Sequence, residues 1–228
     1  MSQVTAGTSK PRGWYLAREA GQLAGVSGDR VGQWARRGYI QSSWSTAVPR
    51  IYSFQDIAEA MVVHELIDRG VKHRDVHRTI ENLRETYGDW PLTAAPLATT
   101  EINRGRGTGT HEIVVLVTRE GARDIGRSEG DQIMLPDLWS LRAITGWLRR
   151  GGWALREHPE IENVEVDPDR LSGRPTIRDR RVPAEKVALL AETKNGRIAL
   201  RADYQLSARQ IEDAVRWYRA VSEYEAAA

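Results

Sequence analysis

The sequence predicts a mainly α-helical fold with small β elements, in the α+β class. Apolar residues recur at helical spacing over most of the chain, and Ser and Gly stand where such helices would begin and end. Only a few short runs are rich in β-branched residues. With 228 residues, 40% of them hydrophobic and 28% charged, the chain is long enough for two domains of ordinary globular composition.

The first predicted helix has one apolar face, formed by Leu16, Ala20, Leu23 and Ala24. Gly25 ends this helix, and Ser27 is a favourable N-cap for a second one.

The second helix is predicted to turn Val31 and Trp34 inward, so Trp34 is expected in the core and not against DNA bases. Its other faces carry polar and basic side chains, namely Arg30, Gln33, Arg36 and Arg37. Two helices joined by a glycine turn, with basic residues outward, form the helix-turn-helix that reads the DNA major groove. The alternative for these arginines is a solvated helix face.

Residues 41–52 are rich in turn formers and end in a short β-prone run, which predicts a hairpin wing. Ser53 and Asp56 resemble a capping box that starts a third helix, and Gly70 is expected to stop it. A fourth helix is predicted from about residue 72 to residue 87.

The middle of the chain is predicted to be a linker with a small sheet and one helix. Residues 112–118 and 131–135 read as strands, and a helix is expected from residue 136 or 137 to Arg149. The glycine-rich loop over residues 104–109 lacks the preceding strand and following helix of a dinucleotide-binding fingerprint. It is therefore interpreted as a hairpin tip.

The C-terminal part is predicted to contain a strand over residues 161–166 and three helices. Pro183 is expected at the first position of a helix to Glu192, and Asn195-Gly196 is expected to make a turn. A short helix over 197–203 and a last helix capped by Ser207 and Gln210 follow. The predicted organisation is a disordered lead-in (1–12), a DNA-binding domain (13–88), a linker region (89–155) and a C-terminal domain (156–228).

Composition excludes several kinds of chemistry. The chain has no cysteine, so disulfides and thiolate metal sites are excluded, and no run is apolar over the ~18 to 20 residues of a membrane span. His73 and His77 stand four residues apart without an obvious third ligand, so we expect a solvated face and no metal or cofactor. No enzyme signature is present, and we expect a cytoplasmic protein without catalytic activity.

The net charge of +2 permits nucleic-acid binding without requiring it. Residues 1–87 carry 12 Lys and Arg against 9 Asp and Glu, so the basic excess accompanies the helix-turn-helix.

The N-terminal third resembles the MerR-type winged helix-turn-helix. The matching segments are Leu23-Ala24-Gly25-Val26-Ser27, Trp34, Arg36-Arg37-Gly38, Arg50-Ile51-Tyr52-Ser53, Asp56 and Leu66-Ile67-Asp68-Arg69-Gly70. The resemblance implies that the helix from Ser27 to Arg37 enters the major groove and that Arg50 and Tyr52 of the wing hold phosphate. The long dimerising helix of that family is missing after Trp90-Pro91, so we expect a homodimer formed through residues 113–117 and the last helix.

Residues 164–218 resemble a small three-helix domain of unknown function that is commonly encoded beside PIN-like toxins. The resemblance rests on Val166-Asp167-Pro168, Leu171-Ser172-Gly173-Arg174-Pro175-Thr176-Ile177-Arg178 and Arg181-Val182-Pro183. Together with a MerR-like front end, this composition is similar to VapB-type antitoxins. The resemblance implies operator DNA and a PIN-like ribonuclease toxin as partners, with autorepression.

An arginine run in this C-terminal part is the candidate toxin-binding segment: Arg174, Arg178, Arg180 and Arg181. Guanidinium groups suit carboxylate and phosphate equally, so the run fits an acidic protein or DNA. The alternative is a solvated loop paired with Asp167, Asp169 and Asp179. Two other functions stay open for the whole chain: a one-component MerR-like regulator whose C-terminal part senses a ligand or dimerises, and a scaffold that does not bind DNA.

Overall fold

The structure is a computed structural model, and it describes residues 10–103, 110–118, 121–125, 132–133, 139–141 and 143–226. Most of the predicted lead-in (residues 1–9) and the whole predicted loop over 104–109 lie outside these residues. The described residues are mainly helical with two small antiparallel sheets, which confirms the predicted fold class.

The N-terminal helices follow the predicted order. They are α1 (Ala17–Ala24), α2 (Gly28–Arg36), α3 (Phe54–Asp68), α4 (His73–Tyr87) and the single turn α5 (Pro91–Ala94). Ser27 caps α2, and Ser53 with Asp56 forms the predicted capping box of α3. The predicted position of Leu16 on the apolar face of α1 is wrong. It is the N-cap of α1 and 37% exposed, because the chain is still extended there.

Residues 41–52 form a loop closed by a single antiparallel bridge between Ser45 and Ile51. A second bridge joins Tyr15 to Tyr52, with backbone hydrogen bonds of 3.0 and 2.9 Å in the two directions. The predicted wing is thus present as a loop, and the segment just before α1 anchors the base of this loop through Tyr15.

The middle of the chain forms a five-stranded antiparallel sheet. Its strands are β1 (Leu97–Asn103), β2 (Thr110–Thr118), β3 (Gly121–Asp124), β4 (Gln132–Ile133) and β5 (Trp139–Ser140), in the order β4-β3-β2-β1-β5. The sequence predicted β2 and β4 but not β1, β3 or β5. The predicted helix start at 136 or 137 is wrong, because Trp139 pairs with Thr99 in the sheet and helix α6 spans only Ala143–Arg149.

The C-terminal part contains a two-stranded sheet and a group of three helices. The elements are α7 (Ala154–Glu157), β6 (Val164–Glu165), a 3₁₀ turn (Leu171–Gly173), β7 (Thr176–Ile177), α8 (Ala184–Leu190), α9 (Lys194–Ala202) and α10 (Ala208–Ala226). Pro183 is the N-cap of α8 and not its first residue. The predicted Asn195-Gly196 turn is wrong, since Thr193 caps α9 and both residues lie in its first turn.

One continuous core joins the N-terminal helices to the C-terminal group. It runs from Tyr15 through Leu23 and Trp153 to Ile211 and Val221, all of them buried. Helix α10 packs against both α1 and α8. Within the described part of the chain, no helix has the length and apolar character that crossing a membrane requires.

Candidate nucleic-acid interface

Glycines fix the angle between α1 and α2. Gly25 ends α1 with φ of +76°, a left-handed conformation that favours glycine. Gly21 lies against the turn itself, and a Cβ there would stand 2.5 Å from the carbonyl oxygen of Val26. The two helices therefore approach each other closely, and α2 is presented in one orientation.

Helix α2 has the two faces that the sequence predicted. Val31 and Trp34 are buried, whereas the four polar residues are exposed: Arg30, Gln33, Arg36 and Arg37. The Arg30 guanidinium lies 5.9 Å from the centre of the Trp34 ring. The three arginines form no ion pair with any described residue, so their charge is available to an anionic ligand. Ser27 differs from them, because its hydroxyl already caps α2 by accepting from the Arg30 amide at 3.3 Å.

The wing presents one of its two predicted phosphate ligands. Arg50 is half-buried, and its Nη1 lies 3.4 Å from the Ser42 hydroxyl. Tyr52 is fully buried, and burial raises the pKa of its hydroxyl. The bridge to Tyr15 turns the Tyr52 side chain into the core, so nothing in its placement supports the predicted phosphate contact, which stays a prediction.

A short arm before α1 supports this surface, and the sequence reasoning missed it. The Arg12 carbonyl accepts from the Phe54 amide at 2.7 Å, and the Gly13 carbonyl accepts from the Trp44 indole at 2.6 Å. The alternation of exposed Trp14 and buried Tyr15 is the signal that could have identified an extended segment here.

The arm also contacts the C-terminal part. The Tyr15 hydroxyl donates to the Gly173 carbonyl at 2.9 Å, the Trp14 amide donates to the Ser172 carbonyl at 2.8 Å, and Arg12 pairs with Asp169. Burial raises the pKa of the Tyr15 hydroxyl, so it stays a donor at neutral pH.

A second junction lies between the helix-turn-helix and Trp153. The Trp153 amide donates to the Leu23 carbonyl at 2.8 Å, and its ring stacks on His64 with centroids 4.0 Å apart. A Cβ on Gly25 would lie 2.3 Å from this ring, so the turn of the helix-turn-helix needs glycine for packing as well. Arg156 adds an ion pair of 2.8 Å to buried Glu65.

The C-terminal arginines lie on turns around β7. Arg174, Arg178, Arg180 and Arg181 are all exposed. Arg174 comes within 3.9 Å of Glu19, while the other three form no ion pair with the residues described. The alternative for these arginines is a loop in which they pair with nearby aspartates. Asp169 does not pair with them, because its carboxylate pairs with Arg12.

The predicted pair His73 and His77 contacts an aromatic ring. Both imidazoles lie against Tyr39, with ring centroids 5.9 and 5.7 Å away. Over the described ranges, no three His, Asp or Glu side chains are arranged to hold a metal ion.

Comparison with known proteins gives two similarities that each cover part of the chain. Residues 164–218 match the family described as "Protein of unknown function (DUF433)". This agrees with the resemblance of the same segment to a small domain of unknown function. Uncharacterized HTH-type transcriptional regulators of Mycobacterium bovis and Mycobacterium tuberculosis are 29% identical over 75 residues, which is 31% of this chain. The matched segment spans about a third (33%) of the length of these relatives.

The crystal structure of Rv2018 from Mycobacterium tuberculosis is similar in fold, with a TM-score of 0.51 and 17% identity. The match covers 89% of this chain and 96% of that one, so the arrangement of both halves recurs in a solved structure.

Proposed function

We propose that the protein is a DNA-binding transcriptional regulator. The observation that carries this proposal is the exposed face of α2, where Arg30, Arg36 and Arg37 lie unpaired among the described residues on a helix fixed by Ser27 and Gly25. Such a helix places its outward side chains in the major groove. The similarity to regulators named HTH-type supports the same function. The protein acts by binding and not by catalysis, and its proposed location is the cytoplasm.

The regulator works as a homodimer on a palindromic operator. Non-specific binding is typically only ~10⁻⁴ to 10⁻⁶ M, so useful occupancy requires two half-sites. Light scattering at micromolar concentration is expected to give twice the chain mass of 25.7 kDa. A monomer would contradict the dimer.

The finer proposal is a VapB-type antitoxin that represses its own operon and neutralises a PIN-like ribonuclease. Two features support it: the similarity of residues 164–218 to DUF433, and the four exposed arginines beside β7. PIN-like ribonucleases gather carboxylates around divalent metal, so a guanidinium fork suits their active site.

The second candidate is a one-component regulator that senses a ligand. A small cavity of about 40 Å³ lies between α1 and the C-terminal part, lined among others by Tyr15, Leu23, Arg174, Trp217 and Tyr218. Cavities between structural units are common ligand sites, but this one must widen to hold more than a few water-sized molecules. Whether a PIN-like ribonuclease gene adjoins this one separates the two candidates.

The DNA proposal is tested by fluorescence anisotropy with a fragment of the protein's own promoter. A dimer with about eight arginine–phosphate contacts should lose roughly 10⁴ in affinity between 50 and 200 mM salt. The variant Arg36→Ala with Arg37→Ala removes about four contacts, so the slope of log K against log salt should fall from about −7 to about −4.

Arg201→Ala with Arg219→Ala is the matched control, because both side chains are exposed on α9 and α10. Its slope should equal that of the wild type. Arg50→Ala should weaken operator and random duplexes alike, since it holds phosphate and not a base edge. Absence of binding at low salt would refute the DNA-binding proposal.

A further inference from the structure

The exposed apolar side chains concentrate at one corner of the molecule. The described residues include seven large apolar side chains that are exposed, and five come from the arm, the wing and the 3₁₀ turn: Trp14, Leu16, Trp44, Val48 and Leu171. The remaining two, Leu189 and Ile198, lie on α8 and near the middle of α9. Exposed apolar patches commonly mark interaction sites.

Hydrogen bonds to and from the arm place four of these residues close together. Trp14 lies beside Leu171, because its amide donates to the carbonyl of the next residue, Ser172, at 2.8 Å. Trp44 lies beside Trp14, because its indole donates to the Gly13 carbonyl at 2.6 Å. Leu16 shares the outward side of the arm with Trp14, since the residue between them points inward. We call Trp14, Leu16, Trp44 and Leu171 the corner patch.

The turn that presents Leu171 has an unusual backbone. Leu171, Ser172 and Gly173 all have positive φ, of +47°, +58° and +91°. A leucine rarely adopts the left-handed region, and such strain concentrates at functional positions. Here the strain holds an apolar side chain at the surface, 39% exposed, where folding alone gains little from it.

Positive charge borders the corner patch. Arg174 directly follows the 3₁₀ turn, and Arg178, Arg180 and Arg181 lie on the neighbouring turn after β7. Glu165 joins the two turns, because it pairs with Arg170 and accepts from the Asp179 amide at 2.9 Å. Tryptophan and arginine are the residues that most often dominate binding energy in protein interfaces.

We propose that the corner patch and its arginines form the docking surface for a folded protein partner with an apolar contact site and an acidic rim. Charge complementarity selects this occupant, because the border carries four arginines and DNA offers no matching apolar surface. The proposal rests on the proposed antitoxin function, in which this partner is the PIN-like ribonuclease. It extends the contact surface from the arginine run to the arm and the 3₁₀ turn.

Calorimetric titration of the full chain with the ribonuclease encoded beside it tests this surface. The patch variant is Trp14→Gln with Leu171→Asn, chosen because asparagine tolerates positive φ. It should weaken binding by roughly 30-fold or more, the effect of losing an interface hot spot. The matched control, Leu189→Gln with Ile198→Gln, removes equally exposed apolar side chains elsewhere and should bind as the wild type does.

Two further measurements keep the test decisive. The far-UV circular dichroism spectrum and the urea-unfolding midpoint of the patch variant should match those of the wild type, which shows that it folds, and Arg178→Glu with Arg181→Glu provides a second variant on exposed turns. If the wild type binds the ribonuclease and both variants bind it equally well, the docking surface is wrong while the antitoxin function stands. If the wild type does not bind it, both proposals fail. A patch variant that loses only self-association would show that the occupant is a second copy, which also overturns the proposal.

Discussion

Glu59 gives the sharpest prediction about stability. Its side chain lies on α3, is only 2% exposed, and accepts three hydrogen bonds from the start of α5. One oxygen accepts from the Leu92 amide at 3.2 Å, and the other from the amide and hydroxyl of Thr93 at 2.7 and 2.8 Å. Burial nevertheless dominates over these bonds and raises the pKa of Glu59 from 4.5 to about 7.

The size and direction of the pH effect follow from this pKa. Folding favours protonated Glu59, so its contribution to stability is fully present below pH 4.5 and is lost as the pH rises through about 7. At ~1.4 kcal/mol for each pH unit between the two pKa values, the loss amounts to about 3 to 4 kcal/mol.

The measurement is urea unfolding, followed by tryptophan fluorescence, at pH 5, 6, 7 and 8. The free energy of unfolding of the wild type should fall relative to Glu59→Gln across this range. His64, whose pKa burial lowers, adds stability as the pH rises, but it acts in both proteins and cancels in their difference. Glu85→Gln, on the exposed side of α4, should follow the wild type. Parallel pH profiles for wild type and Glu59→Gln would refute the reasoning.

Four other substitutions test the packing by thermal and urea unfolding. Gly173→Ala should destabilise the protein by more than ~3 kcal/mol, because the added Cβ would lie 1.9 Å from the Tyr15 hydroxyl. Gly38→Ala is its control and should cost only about 1 kcal/mol, since Gly38 also has a positive φ, +75°, but faces open space. Equal losses of stability for the two variants would contradict this. Tyr52→Phe should be neutral or stabilising and should leave DNA affinity unchanged, since no described residue forms a hydrogen bond with its buried hydroxyl. Weaker operator binding by this variant would show that the Tyr52 hydroxyl does reach DNA. Trp153→Ala should cost about 3 to 5 kcal/mol, and a loss below 1 kcal/mol would mean that the junction with α3 is loose.

Local signals explain what the sequence predicted well. Ser27 caps α2, and Gly25 ends α1, through contacts within a few residues, so each can be recognised from neighbouring positions alone. The same holds for Ser207 and Gln210, whose reciprocal bonds start α10. The basic face of α2 was predictable for this reason, because its periodicity is local too.

Pairing between distant segments explains what was missed. Strand β3 (Gly121–Asp124) has a single apolar side chain, that of Ala122, so its own sequence shows no strand pattern. It forms because β2 pairs with it. Tyr52 shares a wing motif with Arg50 but turns inward because Tyr15 holds its backbone. The corner patch assembles from three segments, so no single stretch of sequence displays it. The predicted domain limits and the site assignments on α2 stay predictions.

The bond between Tyr15 and Gly173 has a consequence for the newly made chain. The two residues are 158 positions apart, so at synthesis rates of 5–20 residues per second the arm leaves the ribosome about 8 to 30 s before its partner does. During that interval the tyrosine that anchors the wing has no C-terminal carbonyl to bind, and Leu23 lacks the amide of Trp153 for part of it. A nascent helix-turn-helix is therefore held less firmly than a finished one, and the proposed operator binding should become firm only late in translation, when the C-terminal half has emerged.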